Sequence, residues 1–512
     1  MKNENEKEQN TDQPCGVTDP PALLNGRPLT IVSNRGPIGF SCSEEGELQI
    51  QRSSGGLVTA LLGLAQNINV TWIASAINDL ENEYGHGQYS LNENGRAINL
   101  ELVPLEPDVY EGFYNVISNP LLWFLQHSMW DVVNSPTITR ATWQAWQNGY
   151  VVANQRFAEA VAHNVRSTPG RSIVMVQDYH LYLLPRMLRK ILHLNRKNDQ
   201  LSLTHFVHIP WPGAEELRIL PPEMRLSILE GMTAVDVLGF QTYEDSINFL
   251  QAVIANLPGA SVSYKNRRIW YRNRATIVRD FPISIDVAAL KERALTEEVK
   301  QQREALEQST QEMQVILRVD RTEPSKNIVR GFEALAEMLE TYPEHIGKVK
   351  FIALLVPSRL DVDEYRDYHD KLMAAAGWVN SKFGTSDWEP IRIILGDNYD
   401  RAIAGLQLYD VLLVNSIADG MNLVAKEGPI VNQKNGVLVL SERTGVSQQL
   451  SEGALTISPC DIVDTANALH QALVMPEEDR ARRARILRTQ VEQNDINAWF
   501  CDQINEITRL GY

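Results

Sequence analysis

The chain has 512 residues, 44% of them hydrophobic and 22% charged, enough for two domains with separate cores, and this composition excludes a disordered or fibrous protein. Its net charge of -16 argues against nucleic acid as the main partner, because phosphate backbones demand clustered Lys and Arg. The four cysteines, Cys15, Cys42, Cys460 and Cys501, lack CxxC or histidine spacing, so neither a zinc site nor a disulfide framework is expected and a reducing, cytoplasmic setting fits.

Residues 1–28 begin MKNENEKEQNTDQP, which has no apolar core and reads as a polar tail rather than a secretory signal. From residue 29 onward, short continuously apolar segments recur at 29–33, 172–177, 203–208, 235–240, 315–318, 349–356, 391–395, 411–415 and 436–440. Strands buried on both faces have this pattern. Helical patterns at 183–195, 328–340 and 363–379 alternate with them, which predicts right-handed crossovers and parallel sheets. The expected fold is α/β, with two doubly wound domains at 29–286 and 287–476 and a hinge near Asp286. The stretches 477–493 and 497–510 within the last segment, 477–512, are expected to be helices crossing back to the first domain. No apolar string approaches the ~20 residues needed to span a bilayer, so no membrane partner is expected.

Ligands on such sheets sit beyond the carboxyl ends of the strands, and the polar motifs fall there. Arg35 follows the first strand, and Gly55-Gly56 opens a helical run that offers an N-terminal anion site. Asp178, His180, His205 and His208 end two further strands; His208, just before Ile209-Pro210, is best placed to touch a substrate, and Trp211 reads as a wall. Arg318 and Lys326 bracket a turn, so that a forked donor and a point-charge donor converge on one diphosphate. The run Asp419-Gly420-Met421-Asn422-Leu423-Val424-Ala425-Lys426-Glu427 places two carboxylates around a glycine turn at a helix start. Its unpaired N–H groups suit a diphosphate, Asp419 suits hexose hydroxyls, and Glu427 can take both hydroxyls of a ribose. An ordinary N-cap role for Asp419 is the alternative.

Together SNR at Ser33, SGG at Ser54, FYN at Phe113, LLW at Leu121, DYH at Asp178, HIP at His208, LGFQT at Leu238, SRLDV at Ser358 and DGMNLVAKE at Asp419 resemble the retaining glycosyltransferases of the trehalose-phosphate synthase family. The likeness runs over most of residues 29–500. It implies two facing Rossmann-like domains (the GT-B glycosyltransferase fold), no cofactor and no essential metal. It also implies that Arg318 and Lys326 hold the leaving diphosphate beside the Gly56 N–H, that Asp419 and His208 bind the transferred glucose with the N–H groups of Met421, Asn422 and Leu423, and that Glu427 binds ribose. By the same resemblance Arg35, Tyr114, Trp123 and Arg359 hold the acceptor's phosphate and Asp178 its hydroxyls, with Trp72 a weaker correspondence.

The chain departs from the family pattern at Arg321, which stands for a tyrosine, at Thr322-Glu323-Pro324, read as lengthening the turn, at Gln177 for histidine and at Trp211 for phenylalanine. A bulkier, more cationic wall suits a small acceptor. Within the family the resemblance is therefore strongest to glucosylglycerol-phosphate synthesis, with ADP-glucose and sn-glycerol 3-phosphate as partners and a compatible solute for salt stress as the outcome. Two alternatives stand: the family's namesake reaction on a nucleotide-glucose and glucose 6-phosphate, and a non-catalytic sugar-phosphate sensor. A separate phosphatase is expected to act on the product, and a homo-oligomer is left open.

Overall fold

The computed structural model describes residues 20–42, 48–52, 70–90, 97–193, 201–310, 313–360 and 362–510. Gly56, with the SGG motif, lies outside them. In chain order the strands of the first half are β1 (Leu29–Val32), β2 (Ile38–Cys42), β3 (Leu48–Arg52), β4 (Val70–Ser75), β5 (His86–Ser90), β6 (Ala97–Val103), β7 (Ser172–Gln177), β8 (Leu201–Phe206), β9 (Val237–Phe240), β10 (Ser261–Ser263), β11 (Arg268–Tyr271) and β12 (Arg274–Asp280). The second half carries β13 (Gln314–Arg321), β14 (Val349–Val356), β15 (Ile391–Leu395), β16 (Val411–Val414), β17 (Val437–Ser441) and β18 (Leu455–Ile457).

The first sheet runs β10-β11-β12-β9-β8-β7-β1-β4-β6-β5, and β2 pairs β3 in a separate hairpin. It is parallel from β12 through β6, with antiparallel strands only at its edges. The second sheet runs β15-β14-β13-β16-β17-β18 and is parallel throughout. Every residue of β7, β8, β16 and β17 is buried, the reason these segments read as unbroken apolar runs rather than as alternating ones. Both sheets are Rossmann-like, so the fold is the expected α/β pair. Within the parallel part of each the strand order reverses once, between β1 and β7 in the first and between β13 and β16 in the second, and a crevice opens at such a point.

One apolar cluster crosses between the halves, from Ile31, Phe206 and Phe281 through Trp499 to Leu412 and Met421. The helices Val287–Arg293 and Glu297–Thr310 pack on helices of the second sheet. Of the two terminal helices, Glu477–Gln493 stays against the Val424–Val431 helix and β17, so it does not cross back as expected. Only Ile496–Arg509 returns: Trp499 Nε1 donates to the Phe281 carbonyl at 3.0 Å, and its ring meets Phe206 edge-on at 5.2 Å. Asp495 caps this helix by accepting the Ala498 N–H, which sets the turn between the two. No helix of the described residues is long and apolar enough to cross a membrane.

Candidate active site

The reversal point of the second sheet brings together the ends of β13 and β16. After β13 the chain makes a short 3-10 turn at Pro324–Lys326, and Asn327 adopts a left-handed backbone (φ +57°) before the helix Ile328–Thr341. After β16 the loop 415–423 leads into the helix Val424–Val431. The Lys326 ammonium and the Asp419 carboxylate close an ion pair across this point. Burial alone would push Asp419 up, yet Lys326 holds it below the usual carboxylate range. Asp419 is not an N-cap: Asn422, at φ +76°, accepts the Ala425 N–H at 3.1 Å and donates to Asp419 at 3.2 Å. Among the described residues no protein acceptor meets the N–H of Met421, Asn422 or Leu423, so three donors remain available at the helix start. Glu427 accepts the Tyr399 hydroxyl at 3.0 Å, and burial raises its carboxyl.

Arg318 joins the same turn from within β13. Its side chain lies inside β13, 0% exposed, with Nε and Nη2 on Asp320 at 3.1 and 2.8 Å and Nη2 also on the Lys326 carbonyl at 2.8 Å. A Cβ at Gly331 would stand 2.6 Å from its Nη1, which is buried without a hydrogen-bond partner. The guanidinium that faces the cleft belongs to Arg321, at the last position of β13, with a side chain 44% exposed. β13 continues three residues past the predicted 315–318, and that extension puts Arg318 in mid-strand and Arg321 at the functional end.

In the first half the reversal point joins the ends of β1 and β7. Asp178, with φ +70°, accepts the His208 N–H at 3.1 Å, and its own carbonyl accepts from His205 Nε2 at 2.9 Å. Burial lifts the Asp178 carboxyl to about 7, against the pull of the His208 and Tyr179 N–H groups. His208 donates from Nε2 to the Gln177 side-chain oxygen at 2.9 Å; burial, then His205, lowers it to about 3, so it stays neutral. Trp499 of the returning helix backs it, ring centres 6.3 Å apart. Tyr114 stacks on His180 at 5.8 Å and lies 6.0 Å from the Arg35 guanidinium. Burial would raise its phenol, but Arg359 and Arg35 hold it below the ordinary value.

The two halves meet over these groups. A Cβ on Gly420 would stand 1.9 Å from the His208 carbonyl oxygen, so the Asp419 loop rests directly on the His208 segment. Trp123 lies between His127, stacked on it at 4.1 Å, and two guanidiniums, Arg359 at 4.6 Å and Arg321 at 5.6 Å. Burial lowers His127 to about 4, and its charge neighbours include Asp419, Lys326 and Glu323. Arg359 (φ +49°) donates to the Tyr365 hydroxyl at 2.7 Å and to Glu323 at 3.1 Å.

Around this junction Lys326 pairs with Asp419, Arg359 lies over Trp123 and Arg35 over Tyr114, while Glu427 is tied to Tyr399. Two expectations fail in the first half. Trp72 is buried in β4 with its Nε1 on Ser33 Oγ at 2.8 Å, which holds the Ser33 turn and does not reach the cleft. Trp211 is no wall: it packs into the core against Tyr182, Phe240 and Phe249. Sequence reading passed over His127, whose only signal was its one-turn spacing from Trp123, and read Arg321 and Glu323 only as part of a lengthened, more cationic turn, not as an ion pair with Arg359.

The chain matches the family model described as Glycosyltransferase family 20 over residues 27–509. It is 33% identical to an alpha,alpha-trehalose-phosphate synthase [UDP-forming] of Schizosaccharomyces pombe, over 95% of this chain and 92% of that one. With the like-named protein of Yarrowia lipolytica it shares 34% identity over 94% and 99%. Among solved structures it is similar to an alpha,alpha-trehalose-phosphate synthase (UDP-forming) from Burkholderia xenovorans in complex with glucose-6-phosphate (26% identity, TM-score 0.79, 94% and 100% of the chains). An E. coli structure bound with UDP-2-fluoro glucose is similar to the same degree (27%, TM-score 0.78, 94% and 99%). Two Rossmann-like domains meeting over a cation–carboxylate pair, matched over nearly full length in sequence and in structure, place the chain in its family: it belongs to glycosyltransferase family 20.

Proposed function

We propose that this glycosyltransferase moves glucose from a nucleotide-glucose to a phosphorylated acceptor with retention, and that its reaction is trehalose-phosphate synthesis from UDP-glucose and glucose 6-phosphate. The names of the relatives support this acceptor and donor over the pair expected from the sequence. The observation that carries the reading is the Lys326–Asp419 pair at the reversal point of the second sheet. A donor diphosphate entering there takes Lys326, and the released Asp419 carboxylate turns to glucose hydroxyls. The Met421, Asn422 and Leu423 N–H groups and Arg321 face the same charge, and Glu427 accepts from the ribose.

In the reaction the bond from the anomeric carbon to the diphosphate oxygen breaks, and the acceptor hydroxyl bonds to that carbon from the same face. Its proton passes to the departing oxygen, giving the nucleoside diphosphate and the glucosylated phosphate. The protein positions the two partners and stabilises the charge that gathers on the diphosphate. Neutral His208, its Nε2–H given to Gln177, can accept a single hydrogen bond from a glucose hydroxyl at Nδ1 without adding charge. Asp178 receives acceptor hydroxyls, and Arg35, Tyr114 and Arg359 surround the acceptor phosphate.

A second reading, ADP-glucose with sn-glycerol 3-phosphate, is favoured by one observation: the Arg321 and Arg359 guanidiniums both crowd Trp123, which narrows the acceptor end. Assays of UDP-glucose and ADP-glucose against glucose 6-phosphate and sn-glycerol 3-phosphate, with products identified by mass, decide between them. Trehalose phosphate as the main product is expected. Glucosylglycerol phosphate as the main product would replace the first reading with the second, and nucleotide release with neither acceptor would return the sensor alternative.

A further inference from the structure

Glu323 was expected only as part of a lengthened turn, yet its side chain is 0% exposed and paired with two arginines. Its Oε1 forms an ion pair with Arg321 Nη1 at 2.8 Å and accepts from Arg359 Nη1 at 3.1 Å and from Ser358 Oγ at 3.1 Å. Its Oε2 is buried without a partner, as is Arg359 Nε. A carboxylate this deep is costly unless paired; burial opposes its charge, and Arg321 with Arg359 keep its carboxyl below the ordinary value. Two guanidiniums that share one oxygen also share one aromatic plate, Trp123, at 5.6 and 4.6 Å. Like charges this close repel, and the Glu323 carboxylate contacts both.

We propose that Glu323 is a positioning residue that clamps Arg321 and Arg359 into one two-pronged anion receptor over Trp123, so that a single buried carboxylate aligns the donor-side and acceptor-side phosphates. This deepens the proposed function and rests on it. The clamp separates two effects that usually travel together. Glu323 lowers the receptor's net charge from two positive units to one, which weakens capture of an anion, while it fixes the direction of both forks, which speeds transfer. Loss of the carboxylate therefore harms alignment more than attraction.

Glu323→Gln keeps the shape and removes the charge, and Glu323→Asp keeps the charge. With the donor and acceptor that wild type turns over best, Glu323→Gln is expected to lose about 10- to 100-fold in kcat, the scale of a displaced reacting group. Its affinity for inorganic phosphate, titrated by calorimetry without donor, is expected to be unchanged or tighter, and Glu323→Asp is expected to recover part of kcat. Unchanged kcat in Glu323→Gln overturns the proposal, as does phosphate affinity falling together with kcat, which would mark a merely structural residue. If wild type transfers glucose to no acceptor, the functional reading fails instead, and the phosphate titration still decides: weaker binding by Glu323→Gln overturns the clamp.

Discussion

At the scale of single residues, the cleft turns on which cation is free to move. Lys326 is held by Asp419 alone among its strong partners, and a diphosphate can exchange for that carboxylate. Arg318 is tied to Asp320 and to the Lys326 carbonyl at the base of the turn. Lys326→Ala is accordingly expected to fold and to lose about two to three orders of magnitude in kcat/KM, the scale of one preorganised donor; near-normal turnover would remove Lys326 from the reaction. Arg318→Ala is expected to lose stability, about 3–5 kcal/mol, because it strands the buried Asp320. Asp320 is already raised by burial against the pull of Arg318. A urea midpoint like that of wild type would show that Arg318 is no support of the turn. Both residues carry the same signal in the sequence, a cation near a strand end, and only the true end of β13 separates them.

At the scale of elements, the loop 415–423 does the joining. Its glycine is dictated by contact and not by dihedral angle: a methyl on Gly420 would meet the His208 carbonyl oxygen at 1.9 Å, and one on Gly445 would meet the Gly420 carbonyl oxygen at 1.8 Å. Backbone cannot yield there as a long side chain would. Gly420→Ala is expected to push the Asp419 loop off the His208 segment and to cut kcat/KM by at least about tenfold, with the far-ultraviolet circular dichroism of wild type. Full activity in that variant would mean that the loop and His208 part freely. The motif itself was plain in the sequence as carboxylate, glycine and carboxylate. Its capping was not, because Asn422 and Asp419 are both good caps, and Lys326, 93 residues away, decides which of them is left free.

For the whole molecule, the junction of the halves contains an unusual ion. Lys426 is 1% exposed, and its Nζ donates to the Ile283 carbonyl at 2.7 Å, in the segment that leads from the first sheet to the second. Burial lowers its ammonium from 10.5 to about 7. Between those values the unfolded chain binds a proton that the folded chain does not, so this site contributes stability that grows as pH rises from about 7 toward 10.5. Below pH 7 both states are charged and the burial cost is constant. Relative to Lys426→Met, wild type is therefore expected to gain on the order of a few kcal/mol of unfolding free energy between pH 7 and 10, measured by urea titration at each pH. A pH-independent difference between the two proteins would place the Lys426 charge in water.

Much of this architecture was legible in local pattern. Strands buried on both faces leave unbroken apolar runs, so the alternation of β7, β8, β13, β14, β16 and β17 with helices was readable residue by residue. The edge strands β5, β10 and β11 and the hairpin β2–β3 were not, because half-exposed strands mix polar and apolar residues and look like loops. Lys326, Asp419, Asp178 and Glu427 could be named from strand ends and the family motifs, since a parallel sheet puts its chemistry at one edge. The sequence alone therefore determined the fold class and the family. Only the tertiary structure decided which arginine is exposed at the end of β13, that Trp72 and Trp211 belong to cores, and that Glu323 ties two guanidiniums together. Those outcomes depend on burial and on partners far along the chain, and neither quantity is encoded within the few residues that a motif spans.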